Sequence, residues 1–288
     1  MHWTSRRERF RAILAGEGCI HPGSVYDAIS ARIAEDLGFE VGMFAGSIAS
    51  MAVLGAPDLI VLTLSEFAQQ AYRINRAGNL PLLVDSDHGY GNALNVKRTV
   101  EELETAGVAA LTIEDTLLPR PYGPSGRPSL ISIEEGVGKM KAALAGRQDR
   151  SLVVAGRTSA LAIAGVEETV RRAQAYAAAG VDAVFLAGAK TRAEIEAVAA
   201  EVRIPLMLGG TTGELSDRAF LAAHNVKVCL QGHAPFSAAV FAVYETLKAL
   251  REGVPPRDLR NIASADLMRQ VTRAEDYQRW TREFLGGA

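Results

Sequence analysis

One junction recurs along this 288-residue chain: helix-patterned sequence, a glycine or asparagine, one or two further residues, then a short apolar run. It reads Leu37-Gly38-Phe39 ahead of Val41, Ala106-Gly107-Val108 ahead of Ala109, Ala179-Gly180-Val181 ahead of Ala183, and His224-Asn225-Val226. Glycine and asparagine tolerate the left-handed backbone that closes a helix, so each junction reads as a helix end feeding a strand. Ile204-Pro205-Leu206 and Leu80-Pro81-Leu82 mark two more strand starts. Eight strands are predicted, at about 18–21, 41–46, 82–86, 109–114, 151–156, 183–187, 205–209 and 226–231, with helical patterns between them. Such alternation with short turns implies a parallel sheet with helices outside. Eight units favour an α/β fold closed as a (β/α)8 TIM barrel over an open doubly wound sheet. No GxGxxG follows the first strand and no GxxxxGK[ST] occurs. A single domain over 1–288 is expected, with the barrel at about 10–250 and a C-terminal helical arm at about 254–288. The arm is patterned around Ile262–Gln270 and Asp276–Leu285, with Trp280 and Phe284 as anchors on this subunit or a neighbour.

Charge narrows the partners. Lys and Arg number 31 against 33 Asp and Glu, for a net charge of −2, which offers no electrostatic reason for nucleic acid or membrane partners. The N-terminus lacks the apolar segment of a secretory signal, and no run reaches the length of a membrane span. Cys19 and Cys229 lie far apart without ligand-like spacing, which suits a reducing, cytoplasmic location.

Reactive groups in barrels gather at the C-terminal ends of the strands. The third predicted strand ends Val84-Asp85-Ser86-Asp87-His88-Gly89-Tyr90-Gly91-Asn92, and strand alternation would put Asp85 and Asp87 on one side. A second acid pair, Glu114-Asp115, ends the fourth strand. Acids at one end of successive strands suit a hard divalent cation with oxygen ligands, Mg²⁺ or Mn²⁺. Ser47 follows the second strand, Arg157 ends the fifth, Thr211 follows the seventh and His233 the eighth. Together they suit a small, anionic, oxygen-rich substrate. Each has a plainer reading: Asp-x-Asp or Asp58 as helix caps, Arg157 as a buried ion-pair partner, His233 as a cap on the last helix. His88 reads as structural or as a support behind the acids, and His21 as structural rather than catalytic. Residues 116–130 carry four prolines and two glycines, and a loop this long reads as a lid.

Asp85-Ser86-Asp87-His88-Gly89-Tyr90-Gly91-Asn92, Gly107-Val108 and Ile113-Glu114-Asp115 resemble the phosphoenolpyruvate mutase/isocitrate lyase superfamily, and within it the bacterial Mg²⁺-dependent oxaloacetate decarboxylase group. The similarity runs from Val25-Tyr26-Asp27-Ala28 to Gly232-His233-Ala234. The resemblance implies Mg²⁺ ligated directly by Asp85, with Asp58, Asp87 and Glu114 holding its waters. It implies Ser47, Arg157 and His233 as substrate contacts. It also implies a homotetramer, a dimer of dimers in which a C-terminal helix is exchanged between subunits. Two departures stand out. The 116–130 segment has no cysteine, lysine or histidine, unlike the lids of the isocitrate-cleaving and mutase branches. Where the decarboxylase group has a tyrosine after the seventh strand, this chain reads Leu208-Gly209-Gly210-Thr211.

The expected reaction is decarboxylation of oxaloacetate to pyruvate and CO₂ through a metal-stabilised enolate. In it Ser47 and Arg157 would bind developing charge, while His233 would orient the leaving carboxylate or relay a proton. The alternatives are a carbon–carbon lyase acting on a substituted malate and a catalytically silent barrel that binds keto acids.

Overall fold

The computed structural model describes residues 3–123, 127–211 and 213–286. Two compact units divide the chain, Met1–Gly232 and His233–Ala288. The first is built on eight parallel strands among the described residues: β1 (Gly23–Ser24), β2 (Gly42–Phe44), β3 (Leu82–Asp85), β4 (Ala110–Glu114), β5 (Val153–Thr158), β6 (Ala183–Leu186), β7 (Leu206–Leu208) and β8 (Val226–Cys229). Each pairs with the next in chain order. The ring closes through the backbone: Ile20 N–H donates to the Lys227 carbonyl and Cys229 N–H to the Ile20 carbonyl, both at 2.9 Å. The result is a (β/α)8 barrel.

The expected first strand at 18–21 is displaced. Only Ile20 of that stretch bridges to β8, at Val228, and the paired strand is Gly23–Ser24 against β2. The segment serves two neighbours in turn, and Pro22 between them has no N–H to give a ladder. The other seven expected strands overlap the observed ones.

Local chemistry sets the helix boundaries. The Asn92 side chain accepts from Leu94 N–H at 2.9 Å and starts helix Ala93–Thr105 directly after the acid-bearing turn. Gly180 (φ 99°), with two residues between it and β6, and Asn225 (φ 60°), directly before β8, follow their helices in left-handed backbone.

Strand alternation then sorts the side chains. Leu82, Val84, Leu111, Ile113 and Val154 point outward into a buried cluster with Phe67, Val100, Leu103 and Met140 of the helices. Truncating one of these to alanine costs about 2–5 kcal/mol. The alternate residues, among them Asp85, Thr112, Glu114 and Arg157, face inward. At the opposite rim Arg7 is buried, donating to the Glu104 carbonyl at 2.6 Å and pairing with Asp149 at 2.7 Å.

The second unit holds helices Ala234–Arg251, Ala265–Thr272 and Ala274–Leu285. The last two sit close to the helical patterns read at 262–270 and 276–285. Phe241, Tyr244, Leu247 and Phe284 are exposed, and Tyr277 meets Trp280 edge to face at 5.1 Å. No helix among the described residues is long and apolar enough to cross a membrane.

Candidate active site

Register places the charged residues. β3 against β4 sets Asp85 beside Thr112, and β4 against β5 sets Glu114 beside Arg157. Asp85 Oδ1 accepts from Thr112 Oγ1 at 3.1 Å, and Asp85 Oδ2 takes an ion pair from Arg157 Nη1. Arg157 Nε lies 3.7 Å from Glu114 Oε2, and the guanidinium sits 5.6 Å from the Phe185 ring centroid. Burial opposes the charge on Arg157, but Asp85 and Glu114 outweigh it and hold the guanidinium above its ordinary range. The ion-pair and site readings of Arg157 thus describe the same contacts.

Asp87 reaches the group by a route that strand geometry does not supply. β3 ends at Asp85, and Asp87 lies in a turn with φ 47°, so alternation does not orient it. Its N–H donates to Asp85 Oδ1 at 3.2 Å, and its carbonyl accepts from Glu114 N–H at 2.8 Å. The turn is pinned further along. Lys139 Nζ donates to the His88 carbonyl at 2.8 Å, and Thr99 Oγ1 to the Gly89 carbonyl at 3.0 Å. Gly46, at the start of the short helix after β2, lies so close that a Cβ there would stand 2.6 and 2.7 Å from the two Asp87 carboxylate oxygens.

The acid pair read at the end of the fourth strand is split by the strand itself. Glu114 faces the barrel and accepts from Thr116 Oγ1 at 2.8 Å. Asp115 turns to the opposite face, where it meets Tyr176 at 2.7 Å and Arg172 at 3.1 Å. It is no part of the acid cluster.

The acids disturb one another. Burial, then the Asp85 and Glu114 charges, push the Asp87 carboxyl well above its usual range. Burial raises Glu114 despite Arg157. Asp58 is exposed at its loop, yet its carboxyl is raised by partial desolvation and by Asp85. Ser47, one residue beyond Gly46, is half-buried, as is Thr211 past the end of β7. His233 opens the second unit at the N-cap of helix Ala234–Arg251, without a side-chain capping bond. His88 is buried and held neutral, with a pKa lowered to about 4 by desolvation and Lys139. The 116–130 loop is tied at its root by Leu117 N–H to the Ser129 carbonyl at 2.8 Å; residues 124–126 lie outside the described part.

No three His, Cys, Asp or Glu side chains among the described residues close into a metal cage. The donor set instead suits a hard cation that keeps most of its waters and takes one or two carboxylates. Asp85, Asp87 and Glu114 would offer such an ion carboxylate oxygens, directly or through its waters, and its positive charge would offset the burial and mutual repulsion that raise Asp87 and Glu114. Sequence reasoning overlooked Gly46 as a contact of Asp87, and it overlooked Lys139 altogether. A lysine at a helix position facing the sheet was the only signal for the latter.

Known proteins bear on this arrangement. A protein named oxaloacetate decarboxylase from Bradyrhizobium diazoefficiens is 60% identical over 286 residues, 99% of both chains. Among solved structures, phosphonopyruvate hydrolase in complex with oxalate and Mg²⁺ superposes with a TM-score of 0.86 at 31% identity, covering 97% of this chain and 99% of the other. Oxaloacetate acetylhydrolase bound to the inhibitor 3,3-difluorooxalacetate does so with a TM-score of 0.85 at 28% identity, covering 99% and 98%. A family model described as phosphoenolpyruvate phosphomutase matches residues 10–251, spanning every strand and the acid cluster. With its parallel barrel and its carboxylates gathered about Arg157, this chain belongs to the phosphoenolpyruvate phosphomutase family.

Proposed function

We propose that this protein is a carboxy-lyase that converts oxaloacetate to pyruvate and CO₂ with the help of a divalent cation, Mg²⁺ or in its place Mn²⁺. The observation that carries the reading is the placement of Arg157 between Asp85 and Glu114 at the C-terminal ends of adjacent strands. Full-length identity to proteins named oxaloacetate decarboxylase selects the substrate among keto acids.

Asp85 would hold the cation directly, with Asp87, Glu114 and Asp58 around its water shell. Bound there, the cation supplies Lewis-acid stabilisation of negative charge on a 2-keto oxygen. The protein's own groups do the rest. Arg157 presents a planar donor fork, already oriented by two carboxylates, to a substrate carboxylate or to the enolate oxygen as the C3–C4 bond breaks. Ser47 offers a hydroxyl beside the N-terminus of the turn Gly46–Ala49. His233 orients the departing carboxylate or delivers a proton to C3, and Thr211 forms a wall where related decarboxylases carry a tyrosine. The 116–130 loop excludes water, so the C4 carboxylate sheds its hydration before it leaves.

The same reading takes 1–288 as one domain, since the family match runs through residue 232 without a break. It takes the C-terminal arm, with the exposed Trp280 and Phe284 as anchors, as the helix exchanged between subunits of a homotetramer, working in the cytoplasm.

Pyruvate release from oxaloacetate at low Mg²⁺, corrected for the metal-only background, tests the proposal. Turnover should vanish with EDTA and in Asp85→Ala. Full Mg²⁺-dependent activity in that variant would overturn the site. Two organic products from a substituted malate, with oxaloacetate inert, would hand the function to a carbon–carbon lyase.

A further inference from the structure

Asp115, the residue directly after β4, is fully buried and turned away from the side on which Glu114 lies. Its Oδ2 accepts from the Tyr176 hydroxyl at 2.7 Å and from Arg172 Nη1 at 3.1 Å, while its Oδ1 is buried without a hydrogen bond. Arg172 is held in turn by Glu168 at 2.8 Å, and all three partners lie on helix Val166–Ala179. The Tyr176 hydroxyl is seated against Gly136 of helix Ile133–Gly146, where a Cβ would stand only 2.4 Å away. Buried ion pairs add little net stability over apolar packing, because desolvation consumes most of the Coulombic gain. What such a network does supply is direction.

The backbone of Asp115 is a joint. Its N–H donates to the Arg157 carbonyl at 3.2 Å, and its own carbonyl accepts from Ile131 N–H at 2.9 Å. The next residue, Thr116, bridges to Leu130 and gives its hydroxyl to Glu114 Oε2 at 2.8 Å. One residue therefore follows Glu114 directly, bonds the strand position of Arg157, and fixes both ends of the 116–130 loop.

We propose that Asp115, clamped by Tyr176 and Arg172, is a positioning residue that aims Glu114 and Arg157 into the barrel mouth while anchoring the loop that emerges beside them. The inference deepens the metal-dependent decarboxylase reading and rests on it. Ligand-orienting groups behind a metal site typically change affinity or activity about 10- to 100-fold when removed.

The test uses full-length Asp115→Asn and Tyr176→Phe, with Arg172→Lys as the conservative variant that keeps the charge. Mn²⁺ binding, followed by electron paramagnetic resonance with the metal alone, is read beside kcat, KM and thermal stability. Asp115→Asn and Tyr176→Phe should weaken Mn²⁺ binding about 10-fold or more and lower kcat by a similar factor with KM little changed, and Arg172→Lys should retain most of both. Folded variants with a lower melting temperature but wild-type Mn²⁺ affinity and kcat would overturn the proposal, since a merely structural network would behave that way. Should Asp115→Asn fail to fold, Tyr176→Phe, which removes one hydroxyl, decides. Wild-type protein inert toward oxaloacetate would sink the decarboxylase reading alone, because the Mn²⁺ titration still judges the positioning role.

Discussion

Gly46→Ala separates function from stability in this protein. The added methyl would lie 2.6 and 2.7 Å from the Asp87 oxygens, against an ordinary contact of 3.4 Å or more, so the carboxylate must retreat by about 0.7–0.8 Å. The Asp87 backbone has little freedom to move with it, because its N–H and carbonyl are both hydrogen-bonded to neighbouring acids. The clash is therefore relieved by rotating the carboxylate out of the cluster. Overpacking costs about 1–3 kcal/mol, and replacing glycine by alanine in a helical turn returns about 0.5–1 kcal/mol. Stability should fall by no more than roughly 2.5 kcal/mol, or a melting shift of several degrees. Misplacing one group of a catalytic constellation by ~1 Å costs about 100-fold in rate. The expected result is kcat down about 100-fold and Mn²⁺ binding about 10-fold weaker, in a protein with wild-type circular dichroism. Pyruvate formation coupled to lactate dehydrogenase, with the uncatalysed background subtracted, reads the rate. Unchanged kcat and metal affinity would refute the placement of Asp87. A collapse of the fold would refute the argument that its carboxylate can yield.

Other outcomes follow from the same geometry. Arg157→Lys keeps a positive charge but loses the planar fork, so kcat should fall about 100- to 1,000-fold; retention of more than a tenth of the activity would count against a direct role. In metal-free protein the raised carboxyls of Asp87, Glu114 and Asp58 favour their neutral forms, so their contribution to stability is full below the unfolded carboxylate pKa and is lost as pH rises through the raised values. Metal binds the ionised forms, so the melting-temperature gain on adding Mg²⁺ should be larger at pH 7.5 than at pH 5. An equal or smaller gain at the higher pH would argue against carboxylate ligation.

Much of the fold was legible because it is local. Gly180 and Asn225 close helices wherever a strand must follow, and Asn92 starts one wherever it follows a turn; neither depends on distant residues. The grouping of Asp85, Glu114 and Arg157 was legible too, since a barrel brings all strand ends to one rim. The first strand was not, because its pairing with β8 on one side and β2 on the other is decided by ring closure between segments some 200 residues apart. Nor was the divergence of Glu114 and Asp115. Adjacent residues on a strand face opposite ways, but which one faces inward depends on the register against β3 and β5.

The amino-acid sequence thus determined by itself the alternation of elements, the eightfold count and the set of charged residues at the strand ends, for these rest on periodicity and on backbone preferences of single residues. Only the tertiary structure decided that Asp87 enters the cluster through a left-handed turn against Gly46, that Arg157 bridges two carboxylates, and that Asp115 is anchored from behind by Tyr176 and Arg172. Those are contacts between residues far apart in the chain, and closure of the barrel is what brings them within reach.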